Sequence, residues 1–181
     1  KISGEVKIGN KNFFGVNFIF HSHLFTPEEP RDNIIVPRDN DATAKVATEN
    51  KRVLDEMTSY LWKFLEENAG QWQDTIKAAS IDIKDSGHTE KPTEDYYKGL
   101  KSAWVHEFCK LPILEIGGKR YSMSNDNHPQ VFEPSLYAFL SQEENEKFLH
   151  PLYEYAKGAG LIPEEDDIME WSRIILNWAP E

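Results

Sequence analysis

The sequence predicts an α+β fold, predominantly helical, with an N-terminal β-hairpin and a second small β-hairpin. Three observations carry that expectation. Apolar residues between Asp41 and Gly70 recur at the i, i+3, i+4, i+7 spacing of a helix. Two turn dipeptides, Gly9-Asn10 and Gly117-Gly118, each lie between short strand-like runs and supply positive φ at little cost. Twenty-two aromatic residues and 39% hydrophobic content in 181 residues are enough for a buried core and too many for a disordered segment.

The elements follow in order. "KISGEVKIGNKNFFGVNFIFHSHLF" reads as the first hairpin, with Val16, Phe18, Phe20 and Leu24 on a core face. Phe13, Asn17, Ile19, His21, His23 and Phe25 share the other face. A proline-bracketed acidic turn carrying Arg31 comes next. The helix from Asp41 then presents Val46, Val53, Leu54, Met57, Tyr60, Leu61, Phe64 and Leu65, and "ENAGQ" supplies its glycine stop. A short helix is expected around Trp72 to Ala79.

"IKDSGHTEKPT", residues 83–93, is polar, contains Gly87 and Pro92, and marks a boundary. The organisation expected is 1–82, a linker at 83–93, and 94–181, with one continuous domain as the alternative. In the second part Tyr97, Leu100, Trp104 and Phe108 line a helix that stops before Pro112. "PILEIGGKRYSM" is the second hairpin. Ser141 and Glu144 have capping-box spacing for a helix carrying Phe148, Leu149, Leu152 and Tyr153, which Pro151 should break or kink. The last helix opens with Pro163 and an acidic first turn, "EEDD", and buries Ile168, Trp171, Ile174 or Ile175, and Trp178.

Charge and cysteine usage narrow the function classes. A net charge of −11 argues against a nucleic-acid partner, which needs clustered Lys and Arg. No run approaches the roughly 20 apolar residues of a membrane helix. A single cysteine, Cys109, makes no internal disulfide and suggests a reducing, cytoplasmic setting. The chain starts at Lys1 and reads as a piece of something longer.

The candidate sites are few. His21 and His23 share a strand face and can reach one metal, yet zinc needs three or four ligands and nothing else is spaced to supply them. They read as polar residues at a strand's solvent end. His106 and Cys109 lie three apart on a helix, close to its stop, and read as an inert, half-buried thiol with a neighbour. "TPEEP", "IPEEDD" and "SQEENE" look like turn and helix-start chemistry. His88, His128 and His150 show no evident partners. No Walker-type loop or dinucleotide fingerprint is present, and "EIGGKR" is a hairpin turn. No cofactor and no native metal are expected in this segment.

Three stretches in order resemble sacsin-like proteins with an Hsp90-type (GHKL) ATPase, in the segment downstream of their ATP-binding domain. "FGVNFIFHSHLFTPEEPRDNIIVP" is similar to their strand-then-arginine segment, although "HSH" replaces a small polar turn. "NKRVLDEMTSYLWKFLEENAG" resembles the long helix that follows in bacterial members. "LPILEIGGKRYSM", leading through "VFEPS" to "LIPEEDDIMEWSRIILNW", resembles their later hairpin and Trp-bearing helix. The likeness spans about Phe13 to Trp178.

The resemblance implies a non-catalytic middle or coupling segment of a larger ATPase with a chaperone-like or defence-related role. ATP and Mg would bind an upstream domain of the same chain, and a protein client would be the further partner. It also offers Arg31 as a catalytic residue acting in trans on that nucleotide, where its charge would stabilise the γ-phosphate. The plainer reading pairs Arg31 with Glu28, Glu29 or Asp32. Two other function classes stand beside this one: a free-standing protein-interaction module, and a metal-dependent hydrolase using His21 and His23.

Overall fold

The structure is a computed structural model. It describes residues 16, 18, 20–28, 33–39, 41–71, 75–81, 83, 91–124 and 129–178. Helices predominate, with two separate two-stranded antiparallel sheets among the described residues. The chain divides into two compact units, each assembled from two stretches of sequence. The first takes Lys1–Glu67 and Ser80–Val105, and the second takes Asn68–Ala79 and His106–Glu181.

In the first unit, β1 (Pro27–Glu28) pairs with β2 (Asn33–Ile34), Glu28 opposite Asn33. The hairpin expected around Gly9-Asn10 lies outside the described residues. Of its core face, Val16 and Phe20 are buried and Phe18 half-buried, but Leu24 is 51% exposed. The alternation fails there because the chain turns at His23-Leu24, where the Ser22 hydroxyl accepts the Leu24 amide hydrogen at 3.1 Å.

Helix α1 (Asp41–Asn68) is the longest element, and the 3₁₀ turn Ala69–Gln71 ends it. Its buried stripe runs through Ala47, Asn50, Leu54, Thr58 and Leu65, with Val53 alongside. Tyr60 and Phe64, expected on that stripe, are 68% and 56% exposed. At about 100° per residue, each stands one position behind the half-buried Leu61 and the buried Leu65, so both turn out of the core.

Helix α3 (Lys91–Lys110) buries Tyr97, Leu100, Trp104 and Phe108, as the spacing predicts. Its first turn takes up Lys91, Pro92 and Thr93, which the sequence reading assigned to a linker. Proline is tolerated there because a first-turn amide has no intrahelical partner. The buried Thr93 hydroxyl donates to the Pro37 carbonyl at 2.6 Å, tying the helix start to the strand segment. Trp104, fully buried, gathers Trp62, Phe18 and Phe20 at ring-centroid distances of 4.6, 6.0 and 6.1 Å. Truncating such a side chain costs about 3–5 kcal/mol.

In the second unit, α2 (Thr75–Ala79) is a single short turn of helix. Strands β3 (Leu114–Ile116) and β4 (Lys119–Tyr121) pair in register about Gly117-Gly118, whose φ values of +57° and +73° fit a tight hairpin turn. Helix α4 (Pro134–Leu140) opens on a proline and was not anticipated. The expected capping box does not form. Ser141 ends α4 instead, its hydroxyl donating to the Tyr137 carbonyl at 2.7 Å.

A 3₁₀ segment, Glu143–Phe148, follows, and α5 (Leu149–Lys157) begins after it. Pro151 therefore sits in the first turn of α5 and does not kink a longer helix. Helix α6 (Glu165–Trp178) buries Ile168, Trp171, Ser172, Ile174 and Trp178. Ile168 belongs to a core cluster with Phe132, Leu140, Tyr153 and Ile162. The Ser172 hydroxyl accepts the Phe132 amide hydrogen at 3.0 Å and donates to the Ile168 carbonyl at 2.6 Å, which satisfies a polar group inside that core.

Candidate functional site

Arg31 lies outside the described residues, as do His88 and His128. The strands on either side of residues 29–32 are held by α1. Asn50 is 1% exposed, and its side-chain oxygen accepts the Thr26 amide hydrogen at 2.8 Å. Its amide group donates to the Thr26 carbonyl at 2.8 Å and to the Ile35 carbonyl at 2.9 Å. One buried side chain thus clamps both ends of the Arg31 segment. The sequence carried a sign of this, since Asn50 interrupts an otherwise apolar helix face between Val46 and Leu54.

His21 and His23 are both exposed, beyond the last strand-like residue, Phe20. They join no group of three potential metal ligands among the described residues. His106 is exposed, whereas Cys109 is half-buried and its burial pushes the thiol pKa up. A raised pKa keeps the sulfur protonated, the opposite of what a nucleophile requires. Gly117-Gly118 forms the hairpin turn and no phosphate loop.

The chemistry-bearing cluster of the second unit is one the sequence reading passed over. His150 and Glu154 lie four apart on α5, and Glu165 opens α6. One ligand atom from each lies within 4.8 Å of the others. The His150 Nδ1 stands 2.9 and 3.1 Å from the two carboxylate oxygens of Glu165. That bond and the carboxylate's charge raise the His150 pKa above its ordinary value. Lys157 faces the same spot, its Nζ 3.5 Å from Glu154 Oε1 and 5.7 Å from the Tyr153 ring centroid.

"IPEEDD" does more than start a helix. The Glu164 carbonyl accepts the amide hydrogens of Asp167 and Ile168, and its carboxylate accepts the Gly117 amide hydrogen at 2.9 Å, joining α6 to the β3–β4 turn. The i, i+4 spacing of His150 and Glu154 was legible in the sequence. Their meeting with Glu165 was not, because the α5–α6 connection decides it.

No helix among the described residues is long and apolar enough to cross a membrane. Comparison with family models, curated proteins and solved structures returned no match.

Proposed function

We propose that the chain is a non-catalytic coupling segment of a larger Hsp90-type (GHKL) ATPase. The observation that carries this reading is the order of three resembling stretches, each of which includes a distinct secondary-structure feature. The first spans the β1–β2 pair, the second covers α1 from Asn50 to its end, and the third runs from the β3–β4 hairpin to α6. The clamp by Asn50 supports a role for the stretch that joins β1 to β2, because it holds the flanking residues Thr26 and Ile35. In this reading ATP and magnesium belong to an upstream domain of the same polypeptide, and Arg31 reaches the γ-phosphate when the two domains engage.

Two experiments test it. The 181-residue chain titrated with Mg-ATP should give no saturable heat, and micromolar binding would contradict a nucleotide-free segment. In the full-length polypeptide, Arg31→Ala should lower ATP turnover by about 10³ with ATP affinity little changed, since an arginine finger acts in the transition state. Turnover within a few-fold of the parent assigns Arg31 to a surface ion pair, and absence of a GHKL domain upstream removes the reading altogether.

A protein-interaction module is the second reading, favoured by one observation. Tyr60 and Phe64 stand one turn apart on the outer face of α1, both more than half exposed. Aromatic residues of this kind anchor helix-in-groove contacts.

A further inference from the structure

We propose that His150, Glu154 and Glu165 form a binding site for one divalent transition-metal ion of the zinc class. The inference is independent of the ATPase reading, because it rests on a different unit of the molecule and on side-chain geometry alone.

The donor set suits such an ion. Imidazole nitrogen and carboxylate oxygen are both zinc ligands, with bonds of about 2.0–2.2 Å, and three protein ligands leave a position for water. Ligands in a tetrahedral site of that size stand about 3.4 Å apart. The three donor atoms already lie within 4.8 Å of one another, so no gap has to close by more than about 1.4 Å. His150 is exposed, and its side chain and that of Glu154 can shift without disturbing the core. Glu165 is half-buried and fixed in the first turn of α6. Two ligands come from one face of α5 and the third from α6, so the ion would cross-link two helices.

Charge points the same way. Two carboxylates and a neutral imidazole balance a divalent ion. Without it, the ammonium of Lys157 stands 3.5 Å from Glu154 and competes with the ion for that carboxylate. An imidazole binds the ion only in its neutral form, so protons compete for His150 and the affinity falls as the pH is lowered. Magnesium, which prefers six oxygens in an octahedron, is a poor fit for this donor set.

The test is calorimetric titration of the full chain with Zn²⁺ at pH 7.5 and 6.0, in buffers of different ionisation enthalpy. One ion per chain, weaker binding at pH 6.0 and buffer-dependent heat from the released proton are expected. His150→Ala and Glu165→Gln should each weaken binding at least about tenfold, the range seen when a metal site loses a supporting group. Lys157→Ala should strengthen it, and a site elsewhere would show none of these responses. His21→Ala with His23→Ala should leave it unchanged, and circular dichroism of each variant checks that folding is intact. Absence of saturable binding overturns the proposal, as does binding that survives His150→Ala and Glu165→Gln or that is lost with His21 and His23.

Discussion

Replacing Asn50 by alanine tests how the first unit holds its strand segment. The side chain makes three hydrogen bonds of 2.8–2.9 Å, one accepted from the Thr26 amide and two donated to the Thr26 and Ile35 carbonyls. At about 1 kcal/mol net for each, their sum is about 3 kcal/mol. Thr26 is exposed and Ile35 half-buried, so water reaches part of what the substitution orphans, which lowers the expected loss to about 2–3 kcal/mol. For a chain of this length that is a fall in Tm of roughly 4–12 °C.

Asn50→Asp sharpens the test. The carboxylate still accepts the Thr26 amide hydrogen, but it sets a second oxygen against two carbonyls and so repels what the amide group had bound. This variant should be at least as unstable as Asn50→Ala at pH 7, and it should recover stability as the pH falls and the carboxyl regains a hydrogen to donate. Urea denaturation followed by circular dichroism, compared at pH 7 and pH 5, measures both effects. A loss below about 0.5 kcal/mol for Asn50→Ala, the size of an ordinary surface change, would refute the clamp. So would an Asn50→Asp variant as stable as the parent at pH 7.

Three further outcomes are expected. Gly118→Ala should cost about 1–2 kcal/mol from its positive φ alone, since an added Cβ meets nothing within 4 Å, and Gly118→Asn should cost less, as urea denaturation would show. The His150–Glu165 pair raises the imidazole pKa, so its stabilisation is fully present below about pH 6.5 and is lost as the pH rises through the raised value. Glu165→Gln should abolish that pH dependence and return the His150 ring resonances in an NMR titration towards an ordinary midpoint. His21→Ala with His23→Ala should change stability by no more than about 0.5 kcal/mol in denaturant melts, both side chains being exposed.

The sequence by itself determined the elements whose physics is local. The apolar period set α1, α3 and α6, because a helix must bury one stripe whatever lies opposite it. Gly117-Gly118 set the second hairpin, because only a residue tolerant of positive φ closes so short a turn. Pro163 and the acidic run set the start of the last helix. Tertiary structure decided what depends on the neighbour. Tyr60 and Phe64 satisfied the apolar pattern of α1 yet face outward, because packing selected a stripe narrower than the pattern allowed. Ser141 and Glu144 had capping-box spacing, but α4 ends at Ser141 and uses its hydroxyl, which leaves no cap for the segment that follows. Asn50 became a clamp only when Thr26 and Ile35 were brought to it from 24 and 15 residues away. His150 gained its carboxylate partner across the α5–α6 connection, a separation of 15 residues that no local period encodes. Spacing fixes which residues share a face. What that face meets is decided by the rest of the chain.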